Sequence, residues 1–319
     1  WVAVPLLAEW GVMGMNLPEQ GGGPGVSPTA MILSLVEIAR SCAATASMVG
    51  AHYLATDSIL IGGDDDLRAR YLPDAASGAK LGAFALTEPR AGSNPADMAT
   101  RAQRQGGSYR LTGVKHFISN AGDAGFMVVY AKTDPAAGHK GISAFVVDTA
   151  TPGLSISSPE QLMGIRGAHA FEVALDCEVP LENRLGAEGS GFRTAMQVLD
   201  NSRIDVAASS IGIAEAALDA SLAWVKERRI GGELLADKQG IQWLLADMKL
   251  RLEAAWTLTL QATAARGAGR RFSLESSMAK LYASEAAGFI ADAALQIHGG
   301  YGYTRDVPLE RYVRDARIM

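Results

Sequence analysis

The chain has 319 residues, is 48% hydrophobic and 20% charged, and carries a formal net charge of −5. That is the composition of an ordinary soluble globular protein, long enough for one large domain or two to three smaller ones, and it offers no basic footprint for nucleic acid. Cys42 and Cys177 stand far apart with no CxxC, which points to a reducing compartment. No apolar run approaches the ~18–20 residues that span a bilayer, and no basic-then-apolar leader opens the sequence.

Residues 1 to 80 read as helices. "NLPEQGGGPGVSP" is a loop by its Gly and Pro content. "TAMILSLVEIARSCAATASMVGAHYLATDSILIGG" follows, with apolar residues at three- and four-residue spacing up to the stop at Gly62-Gly63. "DDDLRARYLPDAASG" predicts a short helix and a turn. From residue 81 to 187 the period changes. "GSYRLTGVKHFISN", "GFMVVYAKT", "GISAFVVDT" and "AFEVALDCEVP" are rich in Val, Ile, Phe and Tyr and are separated by Gly, Pro, Asp and Asn, as antiparallel strands are. No helices intervene, which argues against a parallel α/β sheet.

From 188 to 319 long helical stretches return, with breaks at Gly231-Gly232, Gly267-Ala268-Gly269 and Gly299-Gly300. A helix of about 28 residues is about 42 Å long, and three such helices with a fourth predict a bundle. The expected fold class is therefore α+β and multidomain: an N-terminal helical domain, a middle antiparallel β domain and a C-terminal four-helix bundle. The chain opens at Trp1 and stops at Met319, inside "ERYVRDARIM", as expected of a fragment cut at both ends.

Elimination narrows the chemistry. His52, His116, His139, His169 and His298 show no metal-ligand spacing, and HExxH is absent. There is no GxSxG elbow, no Walker loop and no GxGxxG between a strand and a helix. Five unusual blocks remain: "ALTEPRAGSNPADM", "GVKHFISNAG", "LDNSRIDVAA", "ERRIGGELLADKQ" and "LQIHGGYGYTRDVPLERYVRDARI". In this order they resemble the acyl-CoA dehydrogenase family over nearly the whole chain. The first and last blocks are the most specific.

The resemblance implies FAD, an acyl-CoA substrate oxidised to 2,3-enoyl-CoA, electrons passed to an electron-transferring flavoprotein, and a homotetramer built as a dimer of dimers. It places such a protein in the cytoplasm of a bacterium or the mitochondrial matrix of a eukaryote. By the same resemblance Phe84, Leu86 and Thr87 line the isoalloxazine, and Ser93 sits between the flavin and the CoA moiety. The small residues Ala91-Gly92-Ser93 allow close backbone approach. Phe117, Ile118 and Ser119 stand where many relatives have Trp-Ile-Thr, keeping the ring and the hydroxyl. Asp200, Asn201, Ser202 and Arg203 fall beside the acyl-CoA. Arg228 and Gln239, with Gln296, His298, Gly299 and Gly300, are placed on the FAD phosphates or adenosine across a dimer interface.

Some positions depart from the pattern. Asn94 replaces the usual Asp, Arg90 a frequent Gly, and Ile230-Gly231 a polar residue and Phe. Glu88, ahead of the rigid Pro89, reads as structural rather than catalytic. The glutamate base of most relatives would fall about four positions past Met319, and Ser202 occupies the place from which isovaleryl- and long-chain relatives supply it. Three other readings stay open: a flavin oxidase or monooxygenase on the same fold, a non-dehydrogenase flavoprotein with a binding or protective role, and a helical scaffold without cofactor.

Overall fold

The computed structural model describes residues 3–319. The N-terminal region holds α1 (Val4–Glu9), α2 (Pro28–Ser41), α3 (Ala43–Gly62) and α4 (Asp65–Ala76). Ser27 caps α2 by accepting the Ala30 N–H, with Pro28 opening the first turn. The long periodic run is two helices, not one. Cys42 is extended at φ −153°, ψ 99°, and its carbonyl accepts the N–H groups of Thr45 and Ala46, which starts α3 anew. Asp64 caps α4 by accepting the Leu67 N–H at 2.8 Å.

The strands are β1 (Gly82–Ala85), β2 (Arg101–Gln105), β3 (Ser108–Ser119), β4 (Phe126–Lys132), β5 (Ile142–Asp148), β6 (Leu154–Ile156), β7 (Ala170–Pro180) and β8 (Arg184–Leu185). They form one eight-stranded sheet in the order β6-β7-β3-β2-β4-β5-β8, with β1 also paired to β4. Most pairings are antiparallel as expected, but β1 and β2 each run parallel to β4. β2, "RAQRQ", buries only Ala102, so its polar composition hides it from a hydrophobicity reading. After it come α5 (Gly191–Glu227), the two-residue strands β9 (Arg229–Ile230) and β10 (Glu233–Leu234), α6 (Gln239–Gly267), α7 (Ser273–His298) and α8 (Leu309–Ala316).

The chain divides into two compact units. The first comprises the residues up to 26, 48–161 and 168–202. Here β4 is buried on both faces, and its alternation feeds two cores. Phe126, Val128 and Tyr130 pack with Leu67, Tyr71 and Leu72 of α4. Met127, Val129 and Ala131 pack instead with Phe145, Val147 and Val173.

The second unit comprises 27–47, 162–167 and 203–319. In it α7 buries a stripe of alanines, Ala279, Ala283, Ala286, Ala287, Ala291 and Ala294, at the three- and four-residue spacing of one helix face. α6 packs along α7, with the Arg251 guanidinium 4.1 Å from the centre of the Phe289 ring. The Trp256 indole N–H donates to Glu215 at 2.8 Å and ties α6 to α5. α8 has only eight residues, and α2, from the N-terminal region, lies against α6. α5 is also, among the described residues, the one helix long and apolar enough to cross a membrane, contrary to the absence of such a run expected from the sequence; 61% of its apolar window is buried within the fold, as in a core helix.

Candidate functional site

Two regions gather the predicted residues, one in each unit. In the first, β1 delivers Phe84 into the helix-side core, where its half-buried ring tilts on Tyr130 at 5.1 Å. The Leu86 side chain is core. Thr87 is half-buried, and Ser93 is exposed beside Gly92. Between them Glu88 and Ala91 exchange backbone hydrogen bonds at 3.1 Å, which puts Pro89 and Arg90 at the tip of a tight turn.

That turn is fastened to β3. The His116 N–H donates to the Thr87 carbonyl at 2.9 Å, and the Lys115 ammonium donates to the Leu86 carbonyl at 3.1 Å. The first two sequence blocks are thereby brought side by side. Lys115 also pairs with Glu88 at 2.8 Å, their side chains 0% and 5% exposed. Glu88 in turn accepts the N–H groups of Ala99 at 2.5 Å and Thr100 at 3.0 Å. Burial alone would raise the Glu88 carboxyl, but the adjacent ammonium and these donors hold it below the usual carboxylate range. Burial pulls the Lys115 ammonium down to about 8 against the pull of Glu88. A carboxylate so occupied is not a proton acceptor for substrate, so Glu88 is structural.

Just beyond Lys115 the β3–β7 register shifts, between Lys115 and Ile118. Phe117 sits in the kink at φ 57°, a conformation uncommon outside glycine, and the residue is 57% exposed. The His116 imidazole stacks on that ring at 4.1 Å and 14°, and its Nε2 lies 2.9 Å from Glu160. Ile118 is core, so only its backbone is left for a ligand. Asn120, at φ 67°, donates to the carbonyls of Met48 and Gly82 and ends the strand. The half-buried hydroxyls of Thr87 and Ser119 have no hydrogen-bond partner among the described residues. An exposed aromatic face beside two unclaimed hydroxyls fits a flat, polar-edged ring such as a flavin.

The third block is partly committed. The Asn201 amide donates to Asp57 on α3 at 2.8 Å, and Asn16 donates to the other oxygen of the same carboxylate at 2.7 Å. One N–H of Asn201 is thus spent within the protein. Asp200, Ser202 and Arg203 are half-buried. Four consecutive residues sweep round a helix, so they do not share one face.

In the second unit the fourth and fifth blocks meet at a pocket of about 380 Å³ lined by Trp224, Arg228, His298, Gly299, Gly300 and Tyr301. Trp224 lies in the last turn of α5, four residues before Arg228, which follows the helix, and stacks on the His298 ring at 4.9 Å. The His298 Nδ1 lies 2.8 Å from the Ala294 carbonyl, its helical i−4 partner. The Arg228 guanidinium is exposed, 6.0 Å from the Trp224 ring and 5.9 Å from that of Tyr301. Gly299 closes α7 at φ 58°, and, chain neighbours aside, no atom lies within 4 Å of where a Cβ on Gly299 or Gly300 would stand. A cation, stacked aromatics and bare backbone facing open space suit an anionic, ring-bearing ligand such as the nucleotide part of FAD. Gln239 and Gln296 are exposed and do not line this pocket.

Sequence reasoning passed over Lys115, Asp57, Trp224 and Tyr301. Lys115 had a signal: it shares strand parity with the buried Tyr109 and Leu111, and a lysine on the inward face demands a carboxylate. Asp57 had none, because its partners lie far away in sequence.

Comparison with known proteins shows the family. The family models "Acyl-CoA dehydrogenase, N-terminal domain", "middle domain" and "C-terminal domain" match residues 2–79, 83–177 and 189–319. Acryloyl-CoA reductase (NADH) of Anaerotignum propionicum is 45% identical over 98% of this chain and 80% of its own length. A structure described as the electron transferring flavoprotein of Acidaminococcus fermentans superposes with a TM-score of 0.97 at 39% identity, covering 99% of this chain and 83% of the other. Butyryl-CoA dehydrogenase from Megasphaera elsdenii superposes with a TM-score of 0.96 at 38% identity, over 99% and 84% respectively. The chain belongs to the acyl-CoA dehydrogenase family and is an FAD-dependent oxidoreductase acting on CH–CH groups.

Proposed function

We propose that the protein dehydrogenates a short acyl-CoA thioester between its α and β carbons, giving the 2,3-enoyl-CoA, and passes the electrons to an electron-transferring flavoprotein as a homotetramer. The observation that carries the reading is the pairing of the 84–93 turn with the β3 kink, which leaves the hydroxyls of Thr87 and Ser119 unclaimed by the protein, near an exposed Phe117. The likeness to butyryl-CoA dehydrogenase favours a short acyl group. FAD, when bound, supplies the hydride acceptor.

This chain's residues do the holding. The Thr87 and Ser119 hydroxyls offer donors and acceptors to a ring edge, beside Leu86 and Ile118, with Phe84 and Phe117 as apolar walls. Ser93 faces the CoA side. Asp200, Ser202, Arg203 and the remaining polar groups of Asn201 meet the acyl-CoA. Arg228, His298, Gly299 and Gly300 take the nucleotide phosphates, with Gln239 and Gln296 reaching in from their exposed positions.

A second reading runs the same chemistry backwards, as enoyl-CoA reduction, and the relative named acryloyl-CoA reductase favours it. The test is to purify the protein, record its flavin absorbance, and assay butyryl-CoA with an artificial acceptor and with an electron-transferring flavoprotein. Turnover of butyryl-CoA supports dehydrogenation, and preferential reduction of a short enoyl-CoA supports the second reading. Rapid reaction of the reduced protein with oxygen would move it to the oxidases. A colourless protein that takes up no added FAD would refute all three.

A further inference from the structure

The buried pair of Glu88 and Lys115 lies outside the residues assigned to ligands, yet it joins the two ends of the loop that carries Thr87 and Ser93. Lys115 projects inward from β3, immediately before the kink at Phe117. Its ammonium reaches the Leu86 carbonyl and the Glu88 carboxylate, and the sulfur of Met98 lies 4.0 Å away. Glu88 then takes the N–H groups of Ala99 and Thr100 at the far end of the loop. One ion pair therefore closes both ends of the segment from 86 to 100 onto a single strand. The loop between is exposed at Pro89, Arg90, Gly92, Ser93 and Asn94 and has no regular ladder of its own. Without the pair, the polar ties at its near end would be the His116–Thr87 hydrogen bond and the Glu88–Ala91 turn, beside the core packing of Leu86 and Ala91.

We infer that Glu88 and Lys115 are positioning residues: they act on neither substrate nor flavin directly, but set the register of Thr87 and Ser93 against Phe117 and Ser119. A buried ion pair is weak evidence of a stabilising purpose, since apolar or neutral replacements of both partners are often tolerated, whereas removal of one partner strands a charge. What this pair supplies is direction. Its four hydrogen bonds fix two carbonyl- and amide-bearing segments relative to one strand, and a displacement of about 1 Å at such a site costs on the order of 100-fold in rate. The inference rests on the reading that this turn faces FAD.

The test compares wild type, Lys115→Met, Glu88→Gln and the double variant, using the whole chain. Either single change is expected to lower thermal stability sharply. The double variant is expected to melt close to wild type while trypsin cuts it after Arg90 at least about tenfold faster in the absence of FAD, with about 100-fold lower kcat and a smaller change in KM. A purely structural pair predicts instead that the double variant regains wild-type cleavage rate, FAD affinity and kcat along with its stability, and that result would overturn the inference. Should the double variant not fold, hydrogen exchange on wild type decides. The Ala99 and Thr100 amides are expected to exchange about 100-fold more slowly than those of Gly92 and Ser93, and equal rates would overturn the inference. Failure of the wild-type protein to bind FAD would refute the proposed function while leaving the cleavage and exchange results to judge the loop.

Discussion

His52 makes the fold sensitive to acid. It lies on α3 with no exposure, its Nε2 3.2 Å from the Ala75 carbonyl and its Nδ1 accepting the Gly82 N–H at 2.9 Å. The ring must be neutral to accept at Nδ1, and burial lowers its pKa from 6.5 to about 4. The unfolded chain then binds the extra proton between those two values, so stability falls as pH falls through that window and is unaffected by His52 above it. Linkage between a pKa of 6.5 and one near 4 gives about 2 kcal/mol lost between pH 7 and pH 5, and about 3 kcal/mol once the folded form titrates. Gly82 opens β1, the strand that leads into Phe84 and Thr87, so this loss begins at the base of the candidate site. Urea denaturation of wild type and His52→Gln at both pH values, with m-values checked for constancy, isolates the term. Wild type should lose about 2 kcal/mol more than the variant on acidification. Parallel losses in the two proteins would refute the assignment of a neutral, accepting imidazole.

Three further outcomes follow from the geometry. Arg228→Ala, which removes the exposed guanidinium over Trp224 and Tyr301, should weaken FAD binding about tenfold in a flavin-fluorescence titration without changing the melting temperature. Gly113→Ala should destabilise by more than about 2 kcal/mol in thermal melts, because φ is +157° and the new Cβ would stand 2.4 Å from Thr100 Oγ1 and 2.7 Å from its Cα, on a residue already pinned to Glu88. Asn201→Ala withdraws a donor from the buried Asp57 and should cost about 1–3 kcal/mol in denaturant unfolding, with Asn201→Asp worse because it sets two carboxylates together.

The change from helical to strand period, and back again, was legible because long apolar patterns dominate both the β4–β5 hairpin and α5 to α7. What escaped was whatever composition did not mark. β2 is polar because one face of it is open, and the Cys42 break falls within a run whose apolar spacing continues across it. The parallel pairing of β1 depends on a partner more than 40 residues away, which no local pattern encodes. At the candidate site, residue types such as Thr87, Ser119, Arg228 and Gly299 could be picked out one by one. The ties between them could not: Lys115 to Leu86, and Trp224 to His298, exist only once the chain has turned back on itself.

The position of α2 bears on how such proteins can be recombined. The helix precedes the β region in the chain, yet it packs against α6, with Arg40 paired to Asp219 of α5 at 2.5 Å. A chimera joined at residue 80 would therefore import a foreign wall for the C-terminal helices, and a fragment starting at residue 189 would expose the surface that Met31, Leu35 and Val36 help to keep dry. Grafting between relatives should succeed when residues 27–47 travel with the C-terminal helices rather than with the N-terminal segment they adjoin in sequence.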